Sequence, residues 1–376
     1  MKKIICIFLC AIFTLGNTVV IAEVETDAKS VILIEQSTGE VLYEENPDEK
    51  LPIASVTKIM TMLLIIEAVD NGQIKLDDMV SVSENAMSYG GSTMFLEAGE
   101  QLTVSDMLKG IAVASANDGC VAMAEHLDGS ETAFVERMNN KAAELGMTNT
   151  NFMNTNGLDA DGHYSSARDV SIMSRELSKH KKIFDYTSIW MDSLRDGKFQ
   201  LANTNKLIRF YNGANGLKTG STSKALCCVS ASAEREGMQL IAVVLGAPTS
   251  AKRFSSAKAL LDYGFANYKK EAVTTEGEII GEAEVKKGIE KSVGYYAKES
   301  FSVLKQKSDT AQTEYEVMLD EPIYAPITKG DKLGVVQIKT PEGEHSIDLL
   351  AANDINRKGI NLILSDFFDK LLGKIE

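Results

Sequence analysis

The sequence predicts an α+β protein: an antiparallel sheet with helices packed on it and an α-helical subdomain, followed by a small all-β domain and a C-terminal amphipathic helix. Three observations predict it. Strand patterns at residues 31–34 and 40–44 and again at 225–245 flank a block where helical periodicity dominates. From about residue 270 short alternating apolar and polar runs replace that period, broken by Gly and Pro turns. Finally, Ile360, Ile363, Leu364, Phe367, Phe368, Leu371, Leu372 and Ile375 fall on one helical face.

Residues 1–22 carry Lys2 and Lys3, an apolar core at 4–15 and Val20-Ile21-Ala22 before Glu23, the pattern of a secretory signal peptide cleaved after Ala22. The core is short for a membrane span. The formal net charge of the whole chain is −14, and cleavage leaves 37 basic against 53 acidic side chains. So acidic a protein is a poor match for nucleic acid. Cys120, Cys227 and Cys228 remain after cleavage, an odd set with an adjacent pair, which gives no disulfide framework and reads as small side chains in a core.

The expected layout is 23–268 for the first domain, 269–355 for the β domain and 356–376 for the terminal helix. Residues 31–34 and 40–44 form a hairpin around Ser37-Thr38-Gly39. Residues 52–70 then give the longest apolar run of the mature chain, a buried helix too short and too flanked by charge to span a bilayer. Residues 71–103 are rich in Gly and Ser and read as loops and short strands over a cleft. Helical patterns follow at about 104–112, 118–127, 132–145 and 167–179, the third with Ser130 as N-cap and Gly146 as C-cap. Strands return at 225–234 and 238–245, and a helix at about 250–268 closes the domain. In the last segment Asp366, Asp369, Lys370 and Lys374 interrupt the apolar face, so it lies in a membrane interface or docks on the β domain rather than spanning.

Chemistry concentrates at three places. Ser55 and Lys58 lie three apart at the start of the buried helix, on one face, where the unpaired N–H groups and partial positive charge favour an alkoxide. That is an acyl-transfer nucleophile with an adjacent base. The same spacing recurs at Ser178 and Lys181, Ser221 and Lys224, Ser255 and Lys258, and Ser302 and Lys305, so spacing alone does not single it out. Ser115 and Asn117 sit between two predicted helices, either as helix caps or as groups that exchange protons and hold an amide beside a nucleophile. Lys218-Thr219-Gly220 precedes the strand pair, either as a turn with a solvated lysine or as a cation for a carboxylate beside a glycine that admits another backbone.

Ser-x-x-Lys, Ser-x-Asn 60 residues on and Lys-Thr-Gly 103 further together resemble the penicillin-recognising serine enzymes. Within them the chain resembles the low-molecular-mass penicillin-binding proteins of the D-alanyl-D-alanine carboxypeptidase family, S11 type. Asn151-Phe152, Asn156-Gly157-Leu158-Asp159 and His163 with Ser165, Ala167, Arg168 and Asp169 add to the likeness, and read as scaffold and cleft wall.

The resemblance implies a β-lactamase/transpeptidase-like catalytic domain, with Ser55 as the acylated nucleophile and Lys58 as its base. Ser115 would relay protons and Asn117 meet a substrate amide. Lys218 and Thr219, with Gly220 between them and Ser221, would face the substrate's C-terminal end, Lys218 acting also as a cation that keeps Lys58 neutral. The backbone N–H groups of Ser55 and Ser221 would form the oxyanion hole. Arg253 stands where the family keeps an arginine for the terminal carboxylate, a task suited to a guanidinium.

The implied partners are peptidoglycan stem peptides ending in D-Ala-D-Ala, β-lactams as inhibitors and the outer face of the cytoplasmic membrane. No cofactor is implied, since His126, His163, His180 and His345 form no ligand pattern. A class A β-lactamase would share the motifs, with Glu136 and Asn140 of suitable type for a deacylating pair, and a non-catalytic wall-binding protein would share the fold.

Overall fold

A computed structural model describes residues 24–311, 313–340, 343–362 and 364–365. The expected signal peptide lies outside the described residues, as do residues 366–376 of the terminal helix.

The first sheet comprises β1 (Ser30–Glu35), β2 (Val41–Glu45), β3 (Ala214–Thr222), β4 (Leu226–Arg235) and β5 (Met238–Ala247), in the order β2-β1-β5-β4-β3. All its pairings are antiparallel, and β1 meets β5 from Ser30 opposite Leu245 to Glu35 opposite Leu240. The ends of the domain therefore close into one sheet, as the sequence predicts. β5 is central and buried along its whole length, which is why its sequence reads as a continuous apolar run rather than an alternation.

Six longer helices surround the sheet: α1 (Lys58–Asp70), α2 (Val104–Lys109), α3 (Asn117–Asp128), α4 (Glu131–Glu144), α5 (Ala167–Lys179) and α6 (Ser250–Asn267). α6 covers one face through Leu260, Leu261 and Phe265, packed with Val229, Ala231 and Leu240 of the sheet. The other face carries the larger core, which α1 crosses as a helix apolar on every side. Ser130, Ser166 and Thr249 cap α4, α5 and α6 through their hydroxyls, each worth about 1 kcal/mol.

One departure matters for function. Residues 214–222 form a strand, not a turn ahead of the strand pair. Two glycines and a run of polar residues hide its period, and its place at the sheet edge, paired only with β4, is set by tertiary structure.

β6 (Tyr268–Thr274) follows α6 without a linker and pairs with β9 (Phe301–Gln306). After them, β7 (Ile279–Lys286), β8 (Ser292–Ala297), β10 (Tyr315–Leu319), β11 (Ile323–Tyr324), β12 (Lys332–Thr340) and β13 (Gly343–Ala351) make a sheet ordered β10-β12-β13-β8-β7-β11 over its own apolar core. Ile360, Leu362 and Leu364 are exposed at the start of the terminal segment. Among the described residues no helix is long and apolar enough to cross a membrane.

Candidate active site

Ser55 lies in a 3-10 turn, Ala54–Thr57, that runs directly into α1. The Lys58 amine donates to Ser55 Oγ (2.9 Å), Asn117 Oδ1 (2.7 Å) and the backbone carbonyl of Asn156 (2.6 Å). Three acceptors satisfy all its donors and aim it at the hydroxyl. Asn117 is held in turn by Nδ2–H···O=C of Gly90 (2.7 Å) and by its own N–H on the Ser92 carbonyl (2.7 Å). Its side chain, expected to meet a substrate amide, here holds the Lys58 amine. The Asp118 carboxylate, next in sequence, accepts from the backbone N–H groups of Met94, Leu96 and Gly119 and fixes the cleft loop to the first turn of α3.

Ser115 is buried, ends a π-type turn at Gly110–Ala114, and adopts a left-handed backbone with φ 65°. Such a conformation costs a non-glycine residue about 1 kcal/mol and recurs at functional sites. It turns the chain sharply, so that Ser115 and Asn117 both enter the cleft end of α3.

Strand β3 forms the opposite wall. A Cβ at Gly220 would lie 2.8 Å from both the Ile53 carbonyl and the Ser55 nitrogen, so only glycine lets the strand pack on the backbone of Ser55. Lys218 is 1% exposed and donates to the Thr219 carbonyl at 3.0 Å. The Thr219 hydroxyl pairs with Thr204 (2.6 Å), and Ser221 is exposed with its Oγ 3.8 Å from Cys227 Sγ. Arg253, in the first turn of α6, lies beneath this strand. Its Nη1 donates to the carbonyls of Gly220 (3.2 Å) and Cys228 (3.3 Å), and its Nη2 to Ser250 Oγ (3.1 Å).

Burial brings the Lys58 amine down to about 8, against the opposing pull of Cys120 and Asp118. Lys218 is held well below its ordinary value by burial first, then by the positive charges of Lys58 and Arg253. The sequence reading made Lys218 the fixed cation that neutralises Lys58. The geometry reverses the emphasis, because a fully buried amine with a single hydrogen bond is the easier of the two to deprotonate.

Sequence reasoning names Asn156 only as scaffold and cleft wall, because its contribution is a backbone carbonyl that residue type does not reveal, and it gives Asp118 no role beyond that of a helix-start acid. Glu136 and Asn140 are exposed on α4, and among the described residues no glutamate hydrogen-bonds Ser55 or Lys58. A grouping of Glu67, Glu176 and His180 within 4.8 Å lies at the far ends of α1 and α5, where Lys141 (3.1 Å) and Lys179 (2.5 Å) already pair the two glutamates.

Comparison with known proteins shows the family. Residues 17–249 match the family model for D-alanyl-D-alanine carboxypeptidase, peptidase S11, and residues 268–357 match the C-terminal domain of penicillin-binding protein 5. The chain is 48% identical over 322 residues to D-alanyl-D-alanine carboxypeptidase DacF of Bacillus subtilis, covering 85% of this chain and 83% of that one. It is 36% identical to DacC of Escherichia coli, covering 83% and 80%. Among solved structures, penicillin-binding protein 5 of Haemophilus influenzae superposes with a TM-score of 0.68 at 32% identity, over 89% of this chain and 98% of that one. Penicillin-binding protein D2 of Listeria monocytogenes, in its ampicillin-bound form, gives 0.56 at 34% over 64% and 98%. With the three motifs gathered around one buried amine and the matches running through both domains, the chain belongs to the D-alanyl-D-alanine carboxypeptidase family of serine peptidases, S11.

Proposed function

We propose that this protein removes the terminal D-alanine from peptidoglycan stem peptides ending in D-Ala-D-Ala, through an acyl-enzyme on Ser55. The observation that carries the reading is the Lys58 amine, wholly buried, 2.9 Å from Ser55 Oγ and lowered to about 8.

In its neutral form Lys58 takes the Ser55 proton as Oγ attacks the carbonyl carbon between the two D-alanines. The backbone N–H groups of Ser55 and Ser221 receive the oxyanion, and the helix start adds its partial positive charge. The C–N bond then breaks. The proton held by Lys58 passes to the departing amine with Ser115 as relay, and water attacks the ester with Lys58 again as base. A β-lactam opens on the same serine, but its amine stays tethered.

Lys218 and Arg253 supply the positive field for the substrate's terminal carboxylate, Arg253 from beneath the strand, and Thr219 offers a hydroxyl. An arriving carboxylate favours charge on Lys218, and that charge favours neutral Lys58. The base is then most available when substrate is bound. The terminal helix at 356–376 would hold the enzyme on the outer face of the cytoplasmic membrane, with the β domain spacing the cleft toward the wall. Equal flotation on liposomes with and without residues 357–376 would remove that anchor.

The direct assay is D-alanine release from a peptide ending in D-Ala-D-Ala. Release that disappears in Ser55→Ala is the expected result. Folded protein that is acylated by benzylpenicillin yet releases no D-alanine from any such peptide would contradict the carboxypeptidase reading.

A further inference from the structure

His163 was read from sequence as part of the cleft wall. In the structure it is 6% exposed and its ring bridges two parts of the site. The backbone N–H of Met153 donates to Nδ1 (3.0 Å), and Nε2 lies 2.7 Å from the Thr57 hydroxyl. Since Nδ1 accepts, the neutral ring carries its proton on Nε2 and donates to Thr57. The Phe152 ring meets the imidazole edge-on at 5.9 Å and fixes its plane.

Thr57 stands between the nucleophile and the base, two residues after Ser55 and one before Lys58. The segment that His163 ties to it already grips the same turn elsewhere. Asn156 gives its carbonyl to Lys58, Thr155 gives its carbonyl to the Thr61 hydroxyl (2.5 Å), and Gly157 packs so closely that a Cβ there would stand 1.9 Å from the Ala54 carbonyl. Among these contacts, the Thr57–His163 bond is the one made by two side chains, 106 positions apart in sequence.

We propose that His163 is a positioning residue for acyl transfer: by clasping Thr57 to the Met153 backbone it holds the Lys58 amine in line between Ser55 and the Asn156 carbonyl. The inference rests on the acyl-enzyme reading above. Loss of the clasp lets the Ser55 turn shift against the segment that carries the Asn156 carbonyl. Rate suffers while the cleft that recognises the ligand stays in place.

The test follows acylation of the full chain by benzylpenicillin with intact mass, separating the rate at saturation from the concentration giving half-saturation. Thr57→Val keeps the volume and removes the hydroxyl, and His163→Phe keeps a ring and removes both nitrogens. Each should slow the saturated rate on the order of 10- to 100-fold with half-saturation little changed and the melting transition still cooperative. The double variant should be no slower than the worse single variant, because both remove one bond. His163→Gln, whose amide offers one donor and one acceptor, should recover most of the rate. Losses that multiply in the double variant, that fall on half-saturation alone, or that His163→Gln does not relieve overturn the proposal. Wild-type protein that forms no adduct overturns the acyl-enzyme reading, and the proposal with it.

Discussion

In the cleft, Lys58 and Lys218 are 0% and 1% exposed, and among the described residues neither amine touches a carboxylate. In the C-terminal β strands, Lys305 and Lys332 keep carboxylates at 3.0 and 2.6 Å, and those of Glu271 and Asp348 are drawn below their usual range by the pairing. The same residue type is thus prepared for opposite ends. Pairing in water keeps a lysine charged and contributes little to stability. Burial without a counter-ion costs stability but leaves an amine that can shed its proton near neutral pH. Two such lysines side by side are what the proposed substrate carboxylate would complement.

The largest effect expected is at Lys58. Lys58→Met should lower the acylation rate by on the order of 10³-fold. In the unaltered protein the rate should rise about tenfold per pH unit up to about 8 and then level, because only the neutral amine accepts the serine proton. Stopped-flow acylation across pH checks both, and a rate that is flat from pH 5 to 9 would remove Lys58 as the base.

Lys218→Met should divide activity from stability. D-alanine release is expected to fall by about 100-fold, while Tm rises by about 2–4 °C as a buried, singly bonded amine gives way to an apolar side chain. A lower Tm would mean that the amine is part of a polar network the protein needs.

His163 extends the same contrast to a neutral group. Its folded value is depressed to about 4 by burial, with Asp159 the charged group opposing, against about 6.5 in the unfolded chain. The unfolded state binds the proton first, so this stabilisation is complete above about pH 6.5 and is lost as pH falls toward 4. The loss is about 3 kcal/mol. Denaturant melts of wild type and His163→Gln over that window should converge toward the acid end. At the small extreme, Lys332→Ala in the C-terminal sheet should shift Tm by about 1 °C or less.

What was legible in the sequence follows from the same physics. Ser55 with Lys58, and Ser115 with Asn117, are local spacings on one helix or turn, and the chain order of the motifs carries the family resemblance. Strand β3 was hidden because Gly216, Gly220 and its polar residues give no period, and only its edge pairing with β4 makes it a strand. Lys218 was therefore found as a motif while its burial was not. Asn156 acts through a carbonyl that no side chain advertises. The Thr57–His163 bond joins residues far apart in sequence, so only the folded chain brings them to 2.7 Å. Arg253 is expected from sequence to serve a terminal carboxylate, and its guanidinium rests on the Gly220 and Cys228 carbonyls rather than lying open to the cleft.

The most direct measurement is time-resolved intact mass of the protein with benzylpenicillin, beside Ser55→Ala. The account predicts a stoichiometric adduct that persists, maps to Ser55 and is absent from the variant. An adduct that forms equally on Ser55→Ala, or folded wild-type protein that forms none, would contradict it.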